Sequence, residues 1–258
     1  TKYLPSLDKA VWEKSHLIID VPVDEQNPLA GPQQLAIKRS RLSVEILKRP
    51  SDNATKYDLF QRLNAGGIAA NAQELRNCII IMVNRQYAEF IRLLAESASF
   101  MKVIAASEDQ MEKQKHMEYA TRFLVHTYVP YDGKLDVEEF IDEGVVTLAT
   151  ANETQKAGAT FDATFNYLDQ ALGANALRRF QNGDFIGRVG LAAFESIAVG
   201  IAKNITNIQG KPNPVDYVRQ RVEDYWQSPE IKNFFISGLR GTTRLQRTIP
   251  FGTDWFAI

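Results

Sequence analysis

Cysteine occurs once in the 258 residues, at Cys78, so no internal disulfide can form. A lone thiol fits a reducing cytosol and reads as a buried structural residue before a nucleophile. Histidine is nearly as scarce, with His16, His116 and His126 only, and no two have the helical spacing that aims a pair of imidazoles at one metal. A zinc site is therefore not expected. There is no Gly-x-Ser-x-Gly elbow, no Walker loop and no dinucleotide fingerprint, and a nucleophile, base and orienting group cannot be assembled from so few candidates. Apolar runs are short: Cys78 to Val83 stops after a turn and a half, and the stretch around Phe194 is interrupted by Glu195, whereas a membrane helix needs roughly 20 apolar residues. No membrane partner is expected. Neither a fixed-period repeat nor a low-complexity tract is visible. The chain begins at Thr1 with no basic-then-apolar leader, and so reads as a fragment or trimmed product of a cytoplasmic protein.

What is present is ordinary globular composition, 45% hydrophobic and 24% charged, enough to bury a substantial core. A net charge of -1 supplies no global attraction for nucleic acid, so any such site must be a local patch. Acidic residues dominate residues 107 to 170 without forming a cation-binding loop, which reads as a solvated face. The end has the opposite sign. Ile231 to Pro250 contains no Asp or Glu, and Lys232, Arg240, Arg244 and Arg247 lie among Gly238, Gly241, Thr242 and Thr243. Such a segment is either a phosphate-holding stretch or a basic surface loop.

The fold class expected is mainly α: a multi-helix domain over residues 53–258, preceded by a small irregular and β N-terminal segment over residues 1–52. Leu17-Ile18-Ile19 and the alternating Leu42, Val44 and Ile46 suggest strands, with Pro22, Pro28, Gly31 and Pro32 marking an irregular connection. Lys38, Arg39 and Arg41 then sit at the start of the alternating stretch. From Thr55 the pattern is helical. Asn71 with Glu74 reads as a capping box opening one helix of about six turns, with its stripe from Leu75 through Ile79 and Val83 to Phe90 and Leu94. Ser107 with Gln110 opens another helix, carrying Tyr119, Phe123 and, four residues apart, Glu118 and Arg122, which can pair. Asp136 with Glu139 opens a third, and a fourth ends near Gly173. A short helix from Asn175 through Phe180, an Asn182-Gly183 turn, an apolar stripe from Leu191 to Ile201, and a last helix with Val218 and Tyr225 follow. Phe234 and Phe235 complete the expected core.

One corner gathers polar groups. Tyr57 to Leu63 reads as a short helix ending at Gly66-Gly67, and the Asn71 helix starts immediately after. An exposed helix N-terminus there would receive an anion, with Arg62 and Arg76 as charge partners and Asn64 as a two-way hydrogen-bonding group. The alternative is structural: Asn64 and the glycines shape the turn while Gln73, Arg76 and Asn77 satisfy buried groups.

Phe60-Gln61-Arg62-Leu63-Asn64-Ala65-Gly66-Gly67 followed by Gln73-Glu74-Leu75-Arg76-Asn77 resembles the central motif of the prokaryotic domain family found in GmrSD-type restriction enzymes and phosphorothioate-sensing SspE phage-defence proteins. Ser43 to Leu47, Glu118 to Leu124, Phe194 to Ala198 and Arg244 to Phe251 extend the likeness over most of the chain. The resemblance implies a ParB/sulfiredoxin-like N-terminal half carrying Asp-Gly-Gln-Gln-Arg, tied to nucleotide hydrolysis, and a nuclease domain or subunit of the His-Asn-His type. Neither motif occurs in this sequence. What the resemblance implies here is a helical half that contributes nucleotide or DNA binding through Phe60, Arg62, Asn64, Gly66, Gly67, Arg76, Arg244 and Arg247. No catalytic or metal-ligating residue is expected in the chain itself. The whole protein is expected to be an NTP-dependent nuclease or NTPase component, using a nucleoside triphosphate with Mg. Ala65 departs from the Thr or Ser usual in the family, removing a hydroxyl. The competing expectation is a helical scaffold that holds a nuclease partner, with exposed apolar surface around Leu4, Val11, Trp12 and Leu17. A stand-alone enzyme would need Glu118, Arg122 and Asn77 in one closed pocket.

Overall fold

The computed structural model describes residues 7–41, 70–236 and 238–257. The alternating stretch from Leu42 to Ile46, the Thr55 to Gly67 helix, and Leu4, Phe60, Arg62, Asn64, Gly66 and Gly67 lie outside them. The chain divides into two compact units, Thr1–Pro50 and Ser51–Ile258. Among the described residues it is mainly α, with thirteen helices and two two-stranded sheets.

In the first unit, β1 (Ala10–Val11) pairs in parallel with β2 (Asn27–Pro28). The intervening loop is tied by Gln26, which is buried; its Nε2 donates to the Ser15 and Val21 carbonyls and its Oε1 accepts from Ser15 N. Gly31 and Pro32, expected in an irregular connection, instead begin a helix, α1 (Gly31–Arg39), because proline's fixed φ and missing N–H suit the first turn. Lys38 and Arg39 accordingly occupy its last turn, where cations favour the dipole. Leu17 and Ile19 form no strand and are 90% and 92% exposed.

In the second unit, α2 (Ala72–Val83) and α3 (Arg85–Ala95) replace the single long helix expected. The break has a cause in Asn84. Its extended backbone ends α2, its Oδ1 accepts from Gln86 N and Tyr87 N to cap α3, and its Nδ2 donates to Ala149 O. α4 (Ala98–Ile104) and the short α5 (Glu108–Glu112) follow, and Gln114, left-handed at φ 58, separates α5 from α6 (Lys115–Tyr128). α6 is the central helix, buried from His116 through His126 except for the half-buried Glu118. Packed with it are α7 (Val137–Ala151), capped by Asp136 as expected, and α8 (Thr154–Leu172), ending at Gly173. Phe100, Phe123, Phe161, Phe165 and Phe194 make the centre of the core, the Phe161–Phe165 ring centroids lying 4.5 Å apart.

Phe180 lies in a hairpin rather than the expected short helix: β3 (Arg179–Gln181) pairs antiparallel with β4 (Asp184–Ile186) across Asn182 and Gly183, both at positive φ. The Leu191 stripe is helical, as α9 (Leu191–Ala193), a π-helical turn (Phe194–Ala198) and α10 (Val199–Lys203). After α11 (Ile205–Gln209) and α12 (Pro214–Tyr225), Phe234 is buried but Phe235 is exposed, correcting half of that expected pair. The basic terminal segment is not a loop. From Gly241 it forms α13 (Gly241–Trp255), which lies against the π turn and α10 so closely that glycine is required at the crossing.

Candidate functional site

The α2 N-terminus follows the Asn64 motif in sequence, and its first turn is closed by its own residues. Asn71 Oδ1 accepts from Gln73 N and Glu74 N, Glu74 Oε2 accepts from Asn71 N at 2.7 Å, and Asn71 Nδ2 donates to Lys113 O. The reciprocal cap takes up the Asn71, Gln73 and Glu74 N–H groups, donors an incoming anion at this helix end would otherwise use.

One turn later Arg76 is enclosed. Its side chain has no exposed surface: Nε donates to Asp142 Oδ1 at 2.7 Å, Nη2 to Glu138 Oε2 at 2.9 Å and Nη1 to Gln73 Oε1 at 2.7 Å. Gln73 Nε2 in turn reaches Asn77 Oδ1 at 2.8 Å and Thr121 Oγ1 at 3.3 Å. Arg76, expected beside a phosphate, is thus an internal tie between α2 and α7, because two carboxylates of this chain already take its fork. The structural use of Gln73, Arg76 and Asn77 is the one this geometry displays.

Glu138 joins this tie to a second buried cation. Its other oxygen pairs with Arg122 Nη2, while Arg122 Nε donates to Glu118 Oε1 at 2.9 Å and Lys115 Nζ lies 2.6 Å from Glu118 Oε2. The Glu118–Arg122 pair expected from the four-residue spacing thus forms, and it is largely buried. Burial alone would raise the Glu138 carboxyl, but Arg122 and Arg76 together hold it below the usual range. At Asp142 burial wins over Arg76, and the carboxyl is pushed up.

A third arginine is paired by an acid from the π turn. Glu195, fully buried, accepts from Arg244 Nε at 3.0 Å and Nη2 at 2.9 Å, and Thr248 Oγ1 donates to the same carboxylate at 2.9 Å. Arg244 is thus fixed by a bidentate pair, whereas Arg247 is exposed and, among the described residues, donates only to Asn233 O at 3.3 Å. Tyr119 and His126, both on α6, feel Arg122 and Arg244 alike, so these two cations share one neighbourhood. Glu195 was the residue missed. A carboxylate inside an apolar stripe requires a buried partner, and that was the available signal.

Asn77 lines a groove of about 1010 Å³ with Ile80, Ile81, Arg92 and His116, but Glu118 and Arg122 are not among its described walls. The set a stand-alone enzyme would need is not brought into one pocket among the described residues. Among those residues no cluster of three or more His, Cys, Asp or Glu is arranged to hold a metal ion, and no helix is long and apolar enough to cross a membrane. Cys78 is half-buried, and burial followed by the Glu74 charge raises its thiol.

His126 gives the site a pH signature. Its burial first, then Arg122, Arg244 and Lys203, hold the imidazole well below its ordinary value. The unfolded chain therefore takes up this proton near pH 6.5 while the folded chain refuses it. Stability present above about pH 6.5 is expected to fall at roughly 1.4 kcal/mol per pH unit as pH drops below that value. Burial also lowers His116, against a smaller opposing effect of Glu96, and adds in the same direction. Denaturant titrations at pH 7.5, 6.5 and 5.5 check this, and His126→Gln should flatten the decline.

No family model, curated protein or solved structure matches the chain.

Proposed function

We propose that the chain is the helical part of a prokaryotic anti-phage or restriction protein, contributing nucleotide or DNA binding together with a ParB/sulfiredoxin-like N-terminal half. What supports this reading is that the motif is followed in sequence, a few residues on, by a helix held firmly in the fold. The Asn64-Ala65-Gly66-Gly67 segment leads directly into α2, whose first turns are fixed to α6 and α7 by Gln73, Arg76 and Glu138. A backbone that must present polar groups to phosphate gains from such a rigid base. In this arrangement Phe60, Arg62, Asn64, Gly66 and Gly67 make the ligand contacts, Arg247 adds an exposed cation, and Arg76 and Arg244 hold the helices. The whole protein would use a nucleoside triphosphate with Mg and act in the cytoplasm with a nuclease domain or subunit.

Equilibrium binding of a labelled DNA duplex by the chain is expected to be weak. Its affinity should fall linearly on a log–log plot as salt rises from about 50 to 200 mM, since phosphate contacts release counterions. Affinity that ignores salt would remove the phosphate basis of the proposal.

A second reading, a scaffold that holds a nuclease partner, is favoured by the first unit. Leu17 and Ile19 are almost fully exposed and Trp12 is 37% exposed, although Lys38 Nζ covers its ring at 5.3 Å. Leu17→Asp with Ile19→Asp separates the readings: lost assembly with unchanged DNA affinity favours the scaffold.

A further inference from the structure

A smaller cavity, of about 230 Å³, lies where the end of α4, the start of α5, the Tyr119 turn of α6 and the exit of the β3–β4 hairpin meet. Its described walls include Arg178, Arg188, Gln110, Ser107 and Tyr119, and no Asp or Glu. Arg178 is held in place by neutral acceptors: Nε donates to Gly187 O at 2.8 Å and Nη1 to Asn175 Oδ1 at 3.1 Å. Its charge is therefore oriented, and no carboxylate among the described residues pairs with it. Arg188 is exposed and makes no ion pair or hydrogen bond among the described residues. Tyr119 is only 6% exposed, its ring packs 4.7 Å from that of Phe194, and its hydroxyl likewise has no hydrogen-bond partner among those residues. Gln110 Oε1 accepts from Ser107 N, which leaves its amide hydrogens as further donors.

Two guanidinium groups, a phenol and an amide line the cavity as donors with no carboxylate among the described walls, and Glu118 and Glu195, whose charges reach Tyr119, are themselves paired with Arg122 and Arg244. The Tyr119 ring is buried while its hydroxyl reaches the cavity, so its donor is free to meet a ligand oxygen there. We propose that this cavity binds a phosphate dianion, either free or as the terminal group of a small phosphomonoester, through Arg178, Arg188 and the Tyr119 hydroxyl. Guanidinium forks match the several acceptor oxygens of phosphate better than a single carboxylate would. The volume is below the roughly 300–1,000 Å³ typical of drug-sized ligand sites, which suits a phosphate with little attached. Burial holds the Tyr119 phenol protonated, its pKa pushed up to about 12, so it donates at neutral pH. Its described walls include no residue of the Asn64 motif, and the assignment does not rest on the DNA-binding proposal.

The test is calorimetric titration of the full chain at low ionic strength and pH 7.5, with inorganic phosphate and adenosine monophosphate in separate experiments. Saturable binding is expected, weakened at least tenfold by Arg188→Ala and by Tyr119→Phe. Neither substitution removes an internal hydrogen bond among the described residues, so thermal unfolding should remain at the wild-type temperature. Tighter binding of the nucleotide assigns a phosphomonoester, and tighter binding of inorganic phosphate assigns the free ion. Asn64→Ala should leave the titration unchanged. Heats no larger than those of sodium chloride, binding retained in both cavity variants, or binding abolished by Asn64→Ala would overturn the assignment.

Discussion

Arg76→Ala is expected to lower folding stability by about 3 kcal/mol, read from denaturant midpoints at constant slope. The substitution removes a guanidinium with no exposed surface and leaves Asp142, Glu138 and Gln73 without their shared donor. Breaking a buried ion pair by deleting one partner costs roughly 3–5 kcal/mol. The lower end applies because Asp142 and Glu138 are 30% and 50% exposed, so both carboxylates can recover water. Arg76→Lys keeps the charge but cannot span three acceptors, and a loss of about 1–2 kcal/mol is expected. Asp142→Asn combined with Arg76→Ala should cost less than the sum of the single losses, since the two groups interact directly. A change within about 0.5 kcal/mol for Arg76→Ala, as for an ordinary surface position, would mean that the network does not tie α2 to α7.

Gly252→Ala is the second large effect. A Cβ at this position would lie 2.0 Å from Ser196 O and 2.7 Å from Ser196 Cα, all backbone of the π turn, so the helix itself must move. Gly200 is similarly placed: a Cβ there would lie 2.4 Å from Gly252 O. Overpacking of well-packed sites costs roughly 1–3 kcal/mol and more where nothing can yield, so about 3 kcal/mol or more is expected. Because Glu195 precedes Ser196, any displacement also disturbs its bidentate pair with Arg244. Gly190→Ala is the control. Nothing lies within 4 Å of its Cβ position, its φ is -110, and its stability should stay within about 1 kcal/mol of wild type.

Much of the helical layout was legible from local signals. Asn71 with Glu74 and Asp136 ahead of Glu139 cap the helices they announce, whereas Ser107 with Gln110 caps only the short α5, and Tyr119 and Phe123 lie beyond the left-handed Gln114 in α6. The failures share a physical origin in context. Asn84 interrupts an apolar stripe that continues on both sides, and its cap on α3 is joined by a bond to Ala149 O from a distant helix, which no local signal announces. The β3–β4 hairpin had its Asn-Gly signal, but three-residue strands carry too little alternation to outweigh a helical reading of Leu177 and Phe180. The terminal helix was hidden by Gly241, Thr242, Thr243 and Pro250, all poor helix formers, and it stands because Leu245, Thr248 and Gly252 are buried.

For the candidate site the limits were different. Arg76 meets Glu138 and Asp142 across more than 60 positions of chain, and no spacing rule reveals such a pairing. Sequence reasoning treated Arg76, Arg244 and Arg247 alike as cations for phosphate. The structure separates them: the first is enclosed, the second is paired with a buried acid, and the third is exposed. Arg178 and Arg188 carried no motif at all. Their convergence with Tyr119 follows from the hairpin, which the helical pattern concealed.

The measurement that tests the central claim most directly is equilibrium binding of Mg-ATP and of a DNA duplex by the wild-type chain and by an Arg62→Ala/Asn64→Ala variant, with thermal unfolding followed on the same samples. The account predicts binding that is lost in the variant while the unfolding temperature is kept. Binding that persists unchanged in a folded variant would contradict it and leave the motif a purely structural role.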